Sequence, residues 1–167
     1  MTDKNFLSPL RFSFQIKKLP TFTEFVQTVN FPSVTMGETQ GMPNPFQRLV
    51  IPGEHMTFDK INVSFKVDEY MTDYLEIFEW IQGLGKPTNY EQYQALANAL
   101  PGSGDGPQVD GTLTVLDSEG KAKIRFTFID MFPTNLSGFK FDYTLDSHEF
   151  VTADVEFSYR QYTYEKL

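Results

Sequence analysis

His55 and His148 are the side chains best suited by type to proton transfer or metal binding near neutral pH, and each has carboxylate neighbours: Glu54 beside His55, Asp146 and Glu149 around His148. Both lie in predicted turns that no spacing rule brings together. The chain has no cysteine, so it has neither a thiolate nucleophile nor a thiolate metal ligand, and a zinc site would need carboxylates from distant loops. Carboxylates are denser over 68–79, where Asp68, Glu69, Asp73, Glu76 and Glu79 have the chemistry of a glycosidase pair or a magnesium site. The helix expected there accounts for them more simply, with Asp73 and Glu76 as a capping box and Glu76 and Glu79 on the wet face. The stretch Gly102-Ser103-Gly104-Asp105-Gly106 lacks the Lys-Ser/Thr ending of a phosphate loop and precedes a strand rather than a helix. Tyr159, Tyr162 and Tyr164 with Arg160 have the makings of a stacking platform for single-stranded nucleic acid. A net charge of −8 opposes that use, and edge-strand packing is expected of them instead. The sequence thus predicts no catalytic residue, no metal site and no cofactor, and a protein that is not an enzyme.

The elements that would hold any site are mostly strands. Leu10, Phe12, Phe14 and Ile16 alternate with Arg11, Ser13, Gln15 and Lys17, and Ile61, Val63, Phe65 and Val67 alternate with Lys60, Asn62, Ser64 and Lys66. Ile124, Phe126 and Phe128 repeat the pattern, as do Ala153, Val155 and Phe157. Period two gives each strand a core face and a face for water or a partner. Further strands are expected over 22–29, 111–116, 139–145 and, as one run, 150–164. A helix over 72–82 is expected to turn Leu75, Phe78 and Ile81 to the core and to stop at Gly83. A second short helix over 89–100 would start at an Asn89 and Gln92 capping box and carry Tyr93, Leu96 and Leu100 on one stripe.

Between 32 and 52 the character changes: Pro32, Pro43, Pro45 and Pro52 with Gly37 and Gly41 predict a long hairpin arm poor in regular structure. Met36, Met42, Phe46, Leu49 and Ile51 make it too apolar for a solvated linker, so they are expected at a subunit interface together with Tyr159 and Tyr162. Residues 101–108 read as a flexible loop. The fold class expected is mainly β: an antiparallel β-sandwich or rolled barrel with one flanking helix, the long hairpin arm and a possible second short helix, in a single domain over 1–167.

Composition narrows the function. No apolar run has the length of a membrane span, and Met1 to Phe6 lack a signal-peptide layout, so no membrane insertion is expected. A pI near 4.7 predicts a surface that repels phosphates rather than gathering them.

The order of parts carries a resemblance. Ile51-Pro52-Gly53-Glu54 leads into the strand ending at Val67, Asp68-Glu69 and a helix with Trp80 near its end follow, and Phe132-Pro133-Thr134-Asn135 forms a turn before two final strands. This arrangement resembles the tail-tube protein family of contractile-tailed bacteriophages. The resemblance implies a structural virion protein of the tail tube or its baseplate initiator, with six copies in a ring and rings stacked inside a sheath. It implies partners among tube, sheath and baseplate proteins, DNA passing without specific binding, and a place in the virion tail after assembly in the host cytoplasm. The alternatives are a tube protein of a related bacterial contractile injection system and a monomeric β-sandwich binding module.

Overall fold

Among the described residues, alternating apolar and polar residues form nine strands, and three runs with helical spacing interrupt them. The computed structural model describes residues 6–41, 50–85, 89–98, 106–143 and 150–167. In chain order the elements are β1 (Phe12–Ile16), α1 (Phe22–Phe25), β2 (Val26–Asn30), β3 (Val34–Gln40), β4 (Val50–Phe58), β5 (Ile61–Lys66), α2 (Thr72–Gly85), α3 (Tyr90–Ala97), β6 (Val109–Leu116), β7 (Ala122–Leu136), β8 (Thr152–Ser158) and β9 (Gln161–Lys166).

The 15-residue strand β7 belongs to two layers. Its first half lies between β6 and β9, and with β1 beyond β6 this makes a four-stranded antiparallel layer, β1-β6-β7-β9. Its second half pairs with β8, continuing as β7-β8-β5-β2. The corner lies at Asp130, which takes φ 56° and receives support on both sides. Its N–H donates to Asp110 Oδ1 at 3.2 Å, and its own carboxylate meets Arg160 Nε at 3.3 Å. Opposite the corner, the chain leaves β8 for β9 through Tyr159 and Arg160, and the Arg160 N–H donates to the Ile129 carbonyl at 3.0 Å. Gly111 allows the corner to close: a Cβ there would stand 2.3 Å from Met131 Cε.

Between the layers lies the core, built from the alternation read in the sequence. Ile61, Val63 and Phe65 of β5 and Val155 and Phe157 of β8 are fully buried against Phe14, Ile16 and Phe128. α1 adds Phe22, whose ring meets Phe65 edge-on at 4.9 Å between centroids. α2 covers one side with Ile77 and Trp80, the latter donating from Nε1 to the Pro107 carbonyl at 3.1 Å. β3 and β4 form a separate two-stranded ribbon.

Several sequence expectations are corrected. The 22–29 run starts as a helical turn and only then becomes β2. The described parts of the segment 32–52 are more regular than expected, because Thr39↔Ile51 and Gln40↔Val50 continue the pairing that begins at Val34↔Phe58, while 42–49 lie outside the described residues. The Phe132-Pro133-Thr134-Asn135 stretch is strand, not turn: Pro133 is buried and pairs with Phe157. Residues 139–143 form no strand, and the 150–164 run divides at the corner into β8 and β9.

α2 is rotated relative to expectation. Its buried stripe is Asp73, Ile77, Trp80 and Gly83, which leaves Leu75 and Phe78 about half exposed, at 47% and 48%, with Ile81 partly buried. Gly83 therefore packs inside the helix, which ends at Gly85. Asp73 makes no cap; it is fully buried, and neither oxygen has a hydrogen-bond partner among the described residues. Burial and the charges of Glu76, Asp68 and Glu24 push its pKa up to about 6. Glu76 is also less wet than expected, with Oε2 buried and its pKa raised by burial and by Glu79. At α3 the side chain of Asn89 makes no cap bond and reaches Glu91 at 3.4 Å instead.

Candidate assembly surface

An unpaired strand edge presents a row of N–H and C=O groups that can pair with another chain. The four-stranded layer has two such edges among the described residues, the outer sides of β1 and β9. Backbone hydrogen bonds show which groups they offer. Leu167 N–H donates to Lys123 O, so the amides of Gln161, Thr163 and Glu165 also face β7, while those of Tyr162, Tyr164 and Lys166 face outward. Arg11 O accepts from Leu116 N–H, which by the same alternation turns Phe12 and Phe14 to the free side of β1. Strand directions in the layer alternate, so β9 of one copy would meet β1 of the next antiparallel.

The register also fixes what the layer shows on its face away from the core. Gln15, Thr112, Thr127 and Thr163 are direct cross-strand partners in one row, and Ser13, Thr114, Arg125 and Glu165 in the next. The first row carries no charge. In the second, Arg125 Nη1 and Glu165 Oε2 pair at 3.6 Å. On and beside this face Arg11, Lys17, Lys123 and Arg125 are offset by Asp110, Asp117 and Glu165, with Lys123 and Asp117 paired at 3.5 Å. The wall is thus polar and close to neutral on a chain whose charge is −8.

The ribbon supplies a second surface. Val34, Met36, Val50, Ile51 and Met56 are all 42–56% exposed, and Gly53 lies so close under Gly37 that a Cβ would sit 2.5 Å from the Gly37 carbonyl oxygen. The ribbon is anchored at its root. Ser33 Oγ donates to Asp59 Oδ2, and Asp59 N–H donates to Ser33 O at 3.1 Å. There Phe31 and Phe58 enter a ring cluster with Phe126, Phe128, Tyr159 and Tyr162, at centroid distances from 4.8 Å for Phe31 with Phe126 to 6.3 Å for Tyr159 with Tyr162. The Tyr159 hydroxyl is buried without a partner among the described residues, and burial, with Tyr162 and Asp59 adding to it, pushes its pKa up to about 12.

No family model matches the chain. In sequence it is 28% identical over 148 residues to the tail tube terminator protein of Enterobacteria phage T4, a match that covers 87% of this chain and 79% of that one. The fold matches the sheath/tube terminator structure of the PVC extracellular contractile injection system with a TM-score of 0.67, at 14% identity over 98% of this chain and 99% of that one. In sequence and fold the chain is thus similar to tail-tube proteins of contractile tails. Two anti-feeding prophage structures share the fold: the baseplate (TM-score 0.64, 13% identity, 99% of this chain and 97% of that one) and the tube-terminating cap (TM-score 0.63, 13% identity, 100% and 95%).

The residues named from sequence fall into three groups. Met36 and Ile51 lie exposed on the ribbon. Met42, Phe46 and Leu49 lie outside the described residues. Tyr159 and Tyr162 sit half-buried in the root cluster, where their ring faces are already in contact within the chain. His55 is exposed within β4 rather than in a turn, and His148 lies outside the described residues. Among the described residues no three His, Asp or Glu side chains converge as a metal set. Sequence reasoning missed Phe31 and Phe58, although both flank the expected arm; each also fits a strand pattern, and only pairing shows that they meet.

Proposed function

We propose that the protein is a ring-forming structural component of a contractile phage tail tube, acting at a tube end, with the β1-β6-β7-β9 layer lining the channel. The observation that carries this reading is the pair of open, antiparallel-compatible edges on one layer whose outward rows are polar and nearly uncharged. Head-to-tail pairing of β9 with a neighbour's β1 extends the layer into a closed wall, which removes both edges. The wall then meets DNA without the phosphate contacts that would hold it.

Kinship with a tube terminator supports a tube-end ring over a repeating tube subunit or a baseplate initiator, and the 6-fold symmetrised baseplate neighbour supports a hexamer. On this reading residues 1–167 act as one unit, with the ribbon as an arm that contacts a neighbouring subunit of the ring. Met36, Met42, Phe46, Leu49 and Ile51 then belong to that contact, and Tyr159 and Tyr162 support it from the root. Partners are further copies of the chain and adjacent tube, sheath or baseplate proteins, the location is the virion tail, and no catalysis is required.

The test is Tyr164→Pro. Tyr164 is 69% exposed, and its amide faces the free side of β9, so the substitution removes an edge donor and no bond to β7. Negative-stain microscopy and mass measurement should show rings for the parent and folded monomers for the variant. Normal rings from the variant would refute β9 as the closing edge.

A further inference from the structure

Tyr162 belongs at once to the open edge and to the root of the arm. Its backbone lies on β9, with the amide turned to the free side, while its ring packs against Phe31 at 5.4 Å, Phe58 at 5.3 Å and Phe128 at 5.7 Å. Phe31 lies three residues before the ribbon begins at Val34, and Phe58 ends it. Beyond this root β3 and β4 pack chiefly on each other, so the ribbon is a lever held at one end. A lone two-stranded hairpin is marginal in water, and β9 is held on one side only, so both are elements whose order depends on what packs next to them. Phe31 is itself 48% exposed and the Tyr159 hydroxyl has no partner among the described residues, so the described cluster is incompletely packed where the two elements meet.

We propose that this ring cluster is a coupling joint between two contacts with further copies of this chain. Seating the ribbon on one copy fixes Phe31 and Phe58, these fix the Tyr162 ring, and the β9 edge is thereby held in register for pairing with another copy. Coupling of this kind is reciprocal, so edge pairing also steadies the ribbon. Tyr162 is a positioning residue in this scheme. It touches the neighbour through its backbone and the ribbon through its ring. The inference rests on the ring-forming reading above.

The experiment is hydrogen exchange on the full chain across a concentration series, comparing the parent with Tyr162→Leu, with Tyr162→Phe as the conservative rescue. In the parent, protection of 161–166 and of the ribbon should rise together as rings form. In Tyr162→Leu the ribbon should gain protection without β9, and the concentration needed for rings should rise about tenfold. Tyr162→Phe, which keeps the ring contacts, should behave as the parent. If Tyr162→Leu fails to fold, Phe31→Leu, at a half-exposed ring, replaces it with the same expectation. Identical concentration dependence in the parent and the Leu variant would overturn the joint. So would full β9 protection in a chain whose residues 38–53 are replaced by Asn-Gly. A parent that forms no rings at any concentration would instead remove the assembly reading, and the joint with it.

Discussion

β5 and the β3-β4 ribbon have the same antiparallel geometry and comparable apolar content, yet they end in opposite states. β5 lies between β8 and β2, and Ile61, Val63 and Phe65 are fully buried beneath α1. On the ribbon, Met36 and Met56 are direct cross-strand partners and each is 56% exposed, because no second layer among the described residues covers them. Strand propensity makes both elements, but only a covering layer converts apolar side chains into stability. An apolar strand face left open in this way is available for association.

The largest contrast should come from truncating one residue of each. Phe65→Ala removes a fully buried ring that contacts Phe22 and should cost about 3–5 kcal/mol in denaturant unfolding. Met56→Ala should change stability by no more than about 0.5 kcal/mol while weakening assembly. A comparable loss of stability at Met56 would mean that the ribbon is covered in the free protein, and the comparison would break.

Asp73 sharpens the comparison, since the burial that stabilises Phe65 penalises a carboxylate. Folding raises the Asp73 pKa from 3.8 to about 6, so the folded state holds a proton that the unfolded state has released. Its contribution is complete below about pH 4 and is lost as the pH rises through about 6. Asp73→Asn removes the penalty and should stabilise the protein by about 1–3 kcal/mol at pH 8, with the two proteins converging below about pH 4. Melting curves at the two pH values measure this. An Asn variant less stable at pH 8 would indicate that the carboxylate has a partner.

The smallest effect is expected at Phe78. It is half exposed on the outer side of α2 and resembles the ribbon methionines more than Phe65, so Phe78→Ala should cost less than about 1 kcal/mol in the same unfolding assay. A loss near that of Phe65→Ala would restore the orientation expected from the sequence.

The faces of β5 and β8 were determined by sequence alone, because a period-two pattern permits a single assignment once one side is buried. The absence of cysteine and the acidic balance likewise needed no coordinates. The side of α2 that faces the sheet was a different matter. Leu75, Ile77, Phe78, Trp80, Ile81 and Leu84 surround most of the helix, and two apolar stripes satisfy the helical period equally well. The sheet selected the stripe with Ile77 and Trp80, placing Trp80 Nε1 on the Pro107 carbonyl and carrying Asp73 inside with it. Tertiary structure also decided that β7 serves two layers, that the described parts of the 32–52 segment form a ribbon with its root under β9, and that the edges of β1 and β9 stay open among the described residues. Each of these depends on pairing between residues far apart in the chain, and local patterning does not encode which strand lies beside which.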